Sequence, residues 1–151
     1  MNVVIFDIPR DINLVKSLIS HFQVHNIYIY AFSPVNAYMV GKPSRSDFAE
    51  MYKYLLGHGS VPLAGNEQAL ADYFKMPKGK LNLIVEVMIE AGLVNWHNQD
   101  LVTIPVSEKV DLLATQKMQD WQLQIEGERF LLYNDIKSIK DYFYSGGKDG
   151  F

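Results

Sequence analysis

Lys75, Lys78 and Lys80 crowd into the stretch KMPKGK and are the residues best suited to meet phosphate. They fall at a turn and at the start of the apolar run LNLIVEVMIEAG, where a helix-turn-helix protein brings cations to a nucleic-acid backbone. Trp96 and His97 follow in LVNWHNQDLVTIPV, two apolar segments joined by a polar tip at Asn98 to Asp100 that reads as a hairpin. Lys75, Lys78, Lys80, Trp96 and His97 are therefore the DNA-binding candidates. A structural reading competes for the same residues. Leu81, Leu83, Ile84, Val85, Val87, Met88 and Ile89 make the helix apolar nearly all round, and a helix so buried cannot lie along a major groove. Residues 43–107 also carry five basic side chains against seven acidic ones, a balance that favours scaffold or protein docking over DNA contact.

Other chemistry is thinner. Asp7 follows the first strand, the position where ligands of open α/β sheets sit, but Ile8 and Pro9 come next and no GxGxxG or GxxxxGK is present. It reads as a turn or capping residue. His21 and His25 have the spacing of two metal ligands on one helix face, yet no HExxH glutamate accompanies them and His25 falls where the helix should end. His97 also reads as a solvated hairpin residue. No serine lies in a GxSxG or SxxK context, so no catalytic residue, metal site or cofactor is expected in this chain. Tyr28, Tyr30 and Phe32 alternate with Ile27, Ile29 and Ala31. They could stack bases on an open sheet, but without an RNP pattern or interleaved Lys and Arg the expectation is a strand covered on both faces.

The elements that must position these residues belong to a globular chain. With 151 residues, 48% hydrophobic and 21% charged, there is material for one ordinary domain or two small ones. A net charge of −3 leaves no global field to draw in DNA or an acidic membrane. The absence of cysteine excludes disulfides, thiolate zinc sites and thiol nucleophiles, and suits a reducing cytoplasm. No apolar run reaches membrane-spanning length and Met1 leads straight into VVIF, so neither a span nor export is expected.

The pattern predicts an α/β chain in three parts. Residues 1–42 read as a βαβ-like half: strand VVIF, a helix with Leu14, Leu18 and Phe22 on one stripe, strand NIYIYAF, and a further strand AYMVG. Residues 43–107 read as a winged-helix-like unit of three helices, SRSDFAEMYKYLL, NEQALADYF and KLNLIVEVMIEAG, followed by the hairpin. Residues 108–151 read as a helical extension, with one helix through Val110, Leu113, Met118 and Trp121, another in YNDIKSIKDYF, and a frayed tail from about 145.

Taken in order, VVIFDIP, IYIYAF, SRSDFAEMYKYLLGHGSVPL, EAGLVNWHNQDLVTIPV and FLLYNDIKSIKDYF resemble the C-terminal domain of the RecJ-type single-stranded-DNA exonucleases of Gram-positive bacteria. The resemblance spans nearly the whole chain. It implies a piece of a nuclease that degrades single-stranded DNA from the 5′ end in repair and recombination, using divalent metal held in a separate DHH/DHHA1 region. None of that region's Asp/His motifs can be matched here. The implied role is accessory, with the rest of the exonuclease, single-stranded DNA, a helicase or a single-strand-binding protein as partners. Two rivals are a free-standing winged-helix regulator, which would need more positive charge on an exposed helix, and a small α/β enzyme using Asp7.

Overall fold

Residues 1–145 are described by the computed structural model. Among them the order is β1 (Asn2–Phe6), α1 (Ile12–His21), β2 (Asn26–Tyr30), α2 (Ala37–Val40), α3 (Arg45–His58), β3 (Ser60–Pro62), α4 (Glu67–Phe74), α5 (Lys78–Glu90), β4 (Val94–His97), β5 (Asp100–Thr103), α6 (Gln116–Leu132) and α7 (Ile136–Ser145). This is a mixed α/β chain, as the sequence predicts. The described residues form two compact units, one of Met1–Met39 with the chain from Gln122 to the end of α7, the other of Val40–Trp121.

In the first unit β1 and β2 run parallel, with Val4 opposite Tyr28, Ile5 opposite Ile29 and Phe6 opposite Tyr30. Side chains at paired positions share a face, so the isoleucines and the aromatics part company. Ile5 joins Ile19 of α1, Leu131 of α6 and Phe143 of α7 in a buried cluster that also gathers Val3, Ile27 and Ile29. Helices α1 and α7 are held together by the Tyr142 hydroxyl donating to Asn13 Oδ1 at 2.7 Å, with Lys16 Nζ 4.4 Å above the Tyr142 ring.

Three expectations fail in this unit. AYMVG is no strand: Ala37–Val40 is one helical turn. Its first amides, those of Ala37 and Tyr38, donate to the buried Glu128 carboxyl at 3.0 and 3.2 Å, and Gly41 at φ 80° ends it. Among the described residues the sheet therefore has two strands, and helices cover one of its faces. Tyr28, Tyr30 and Phe32 are accordingly exposed at 47%, 60% and 65%. Likewise Leu14, Leu18 and Phe22 face outward, and α1 buries Ile19 instead.

The second unit is built on α3, whose start is closed reciprocally: Ser44 Oγ accepts from the Asp47 amide at 3.1 Å and Asp47 Oδ2 accepts from the Ser44 amide at 2.7 Å. Such a capping box satisfies two of the amides a helix start leaves free. Met51 and Leu55 of α3, Leu81, Ile84, Val87 and Met88 of α5, Leu101 of β5 and Met118 of α6 make a core with almost no solvent contact. A short strand that the sequence pattern does not predict, β3, pairs with β5, giving an antiparallel sheet in the order β3-β5-β4. The helix expected through Val110 starts later. Leu112–Ala114 is a single 3-10 turn capped by Asp111, and α6 begins at Gln116. The tail expected to fray from about 145 lies outside the described residues beyond that point.

Candidate nucleic-acid interface

Lys75 ends α4 in the left-handed region at φ 54°, with its amide donating to Asp72 O at 3.1 Å, and its side chain is exposed. Lys78 opens α5 just after Pro77 and is also exposed. Lys80 differs. Its Nζ lies 2.9 Å from Asp47 Oδ2, with both side chains about one fifth exposed, at 20% and 22%. Burial works against ionising Asp47, but the Ser44 amide, the Lys80 ammonium and the Ser44 hydroxyl outweigh it and hold this carboxyl below its ordinary value. The charge of Lys80 is thus matched inside the protein, whereas Lys75 and Lys78 remain turned to solvent.

The outer side of α5 is acidic and already engaged. Glu90 accepts from the amides of Gln116 and Lys117 at 2.6 and 3.2 Å, capping α6, and Glu86 lies 3.7 Å from Lys117 Nζ. With Leu81, Leu83, Ile84, Val85, Val87 and Met88 buried, this helix has no basic face to lay in a groove. On the hairpin, Trp96 lies opposite Leu101 and His97 opposite Asp100, with Asn98 taking the turn at φ 57°. Both Trp96 and His97 are exposed.

Asp7 closes the end of β1. It sits at φ 60° and its amide donates to Tyr30 O at 3.2 Å, extending the β1–β2 pairing by one bond. Among the described residues no three His, Asp or Glu side chains gather as metal ligands would. Glu128, the most buried acid, is consumed by structure: Ser33 Oγ, Gln124 Nε2 and the amides of Ala37 and Tyr38 all donate to it.

One feature overlooked by the pattern is apolar. Val4 and Phe6 of β1 share the open face with Tyr28 and Tyr30, and the Phe6 and Tyr30 rings stack with centroids 5.5 Å apart. Beside it, Leu18 and Phe22 of α1 line a hollow of about 400 Å³ along β1. Alternation in NIYIY signals which side chains share a face; it carries no sign of which face is covered.

A family model described as single-strand DNA-specific exonuclease, C terminal domain, matches residues 1–143. The chain belongs to this family. No curated protein and no solved structure matches it. The exonuclease C-terminal domain so identified is part, in that family, of a nuclease specific for single-stranded DNA. No helix among the described residues is long and apolar enough to cross a membrane.

Proposed function

We propose that this chain is the non-catalytic accessory domain of a RecJ-like 5′→3′ exonuclease acting on single-stranded DNA in repair and recombination, and that it works first by docking protein. The observation that carries this reading is the uncovered face of β1 and β2, continuous with the exposed apolar side chains of α1. Parallel sheets are ordinarily covered on both faces, and a two-stranded sheet is marginal alone. Among the described residues β1 pairs only with β2, so its other edge offers a free row of backbone donors and acceptors. The occupant we assign is the remainder of the exonuclease, whose divalent-metal chemistry stays in its own catalytic region. A helicase or single-strand-binding protein would then join the assembled enzyme in the cytoplasm.

The order helix, strand, two helices and a hairpin in residues 45–103, with β3 added beside β5, supports a winged-helix reading of that part. The occupied acidic side of α5 favours an accessory use of it over a free-standing duplex-binding regulator. Asp7, engaged as a turn residue, favours this reading over a small α/β enzyme.

The test is calorimetric titration of the chain into the nuclease region of a RecJ-type exonuclease. Burying a side chain the size of Phe6 is worth about 2 kcal/mol. Phe6→Ser and Leu18→Ser, both at exposed positions, should each weaken association about tenfold or more. Absence of association with the wild-type chain would sink the docking role, and cleavage of 5′-labelled single-stranded DNA by the chain alone, with Mn²⁺ or Mg²⁺, would sink the non-catalytic one.

A further inference from the structure

Where α3 and α4 end, in the second unit, three aromatic rings gather around Tyr54. His58 stacks on it with centroids 4.1 Å apart and planes 28° from parallel, while Tyr73 and Phe74 stand 5.2 and 5.3 Å away. Spacing by one helical turn puts Tyr54 and His58 together, and adjacency at the end of α4 supplies Tyr73 and Phe74. They border a hollow of about 510 Å³. Tyr54 and Tyr73 also line a second hollow of about 380 Å³ with Pro62, Asn66 and Ala69.

Two cations flank the first hollow, Lys53 and Lys75. Both are exposed, and neither makes an ion pair among the described residues. Lys75 is placed by the left-handed turn that ends α4, so its position follows from the fold rather than from a mobile loop. His58 Nδ1 lies 2.8 Å from the Tyr54 carbonyl, which can only accept, so Nδ1 carries a proton and the ring is held over Tyr54. Among the described residues Glu50 is the only acid in the lining, and its carboxyl accepts from Ser46 Oγ at 3.5 Å.

We infer that this cleft binds single-stranded DNA, with bases stacking against Tyr54 and Tyr73 and backbone phosphates met by Lys53 and Lys75. Tyr73 and His58 expose their rings around the half-buried Tyr54, beside unpaired cations, and such a surface is what an unstacked, charged strand needs. A duplex hides the faces of its bases and could use the lysines but not the rings. Tyr73 is 66% exposed, and its ring meets Phe74 edge-on at 5.0 Å and Tyr54 at 5.2 Å, which leaves a face open for a base. The larger hollow of about 590 Å³ in this unit mixes Arg45 and Lys109 with Glu108 and Asp111 and has no such bias. Only the choice of DNA over RNA rests on the accessory-domain reading, and the docking face takes no part.

The experiment is fluorescence anisotropy of the whole chain with a labelled oligothymidylate of about 12 nucleotides, near the site size of one single-strand-binding module. The matching duplex and single-stranded RNA run in parallel. We expect tighter binding to the single strand, weakening with salt. Tyr73→Ala should weaken it about tenfold and Tyr73→Phe should retain it, since one stacked base is worth roughly 1–3 kcal/mol. Lys53→Ala with Lys75→Ala should reduce the logarithmic salt slope by about 1.4, the value for two phosphate contacts on a single strand. Phe6→Ser and Lys80→Ala should bind as wild type, and Phe6→Ser then separates failure of docking from failure of this site. No binding at low salt, a preference for duplex, binding unaltered in folded Tyr73→Ala, or loss confined to Trp96→Ala or Lys78→Ala would each overturn the assignment. Equal binding of RNA would overturn the choice of DNA.

Discussion

Lys80 Nζ lies 2.9 Å from Asp47 Oδ2, joining the first turn of α5 to the capping box of α3. One carboxylate thereby serves two helices, because Asp47 also accepts from the Ser44 amide at 2.7 Å. Removing either partner should lower stability and leave nucleic-acid binding alone. Asp47→Ala loses the cap and the ion pair and should cost about 2 kcal/mol, since loss of a cap alone costs roughly 1. Lys80→Ala should cost about 1 kcal/mol or less, because the amide and the Ser44 hydroxyl still hold the carboxylate. Urea denaturation of the two variants measures both, and a Lys80→Ala chain that is fully stable but defective in DNA binding would contradict this assignment.

The same carboxylate sets an acid dependence. Its folded pKa lies below the ordinary 3.8, so the unfolded chain takes up the proton first as pH falls. The stability it contributes is fully present above about 3.8 and is lost as pH falls below that toward the folded value. Asp135 is shifted the same way by the amide and hydroxyl of Ser138 at the start of α7. Asp47→Asn should therefore flatten the acid limb of the stability profile below about pH 4 while leaving the limb above pH 5 parallel to wild type. Stability measured across that range checks the sign.

Glu128 offers a sharper test, since its buried carboxyl takes four donors. Oε2 receives Ser33 Oγ, the Ala37 amide and Gln124 Nε2, and Oε1 receives the Tyr38 amide. Glu128→Ala should strand these groups and cost on the order of 3 kcal/mol. Glu128→Gln keeps one oxygen but places an NH₂ beside an amide donor, and should lose about half as much. Thermal unfolding reads the totals, and hydrogen exchange at Ala37 and Tyr38 should rise in both variants. Unchanged exchange there would show that α2 does not depend on this acid.

How much was legible beforehand follows from where each signal resides. The start of α3 was readable in SRSD and the burial of α5 in LNLIVEVMIE, because capping and apolar density are local properties. Strand β3 was not, since its stabilisation comes from β5, with Ser60 Oγ donating to Asp100 Oδ2 across 40 positions. AYMV reads as a strand by its own residues and becomes helical because Glu128 binds Ala37 from 91 positions away. Of the five DNA-binding candidates, Lys75 meets the aromatic cleft, Lys80 is paired, and Lys78, Trp96 and His97 do not line the cleft. Tyr54, His58 and Tyr73 were overlooked because they stand off the apolar stripes, where aromatic rings look like solvated surface until the ends of two helices bring them together.

Gly127 records a close approach that no local pattern signals. A Cβ there would stand 2.6 Å from Ile8 Cγ2 and 3.4 Å from the Pro9 carbonyl, although the residue lies inside α6, where alanine is ordinarily favoured. Helix propensity alone would make Gly127→Ala stabilising by up to about 1 kcal/mol. Overpacking against a β-branched side chain with few rotamers costs roughly 1–3 kcal/mol, so the net expectation is a loss of about 1 kcal/mol. Ile8→Ala removes the obstructing methyl. The double variant should therefore be more stable than the sum of the two single effects, by about 1 kcal/mol or more, in a denaturation cycle. Simple additivity would mean that the loop carrying Ile8 and Pro9 yields freely, and that Gly127 is not required for this approach.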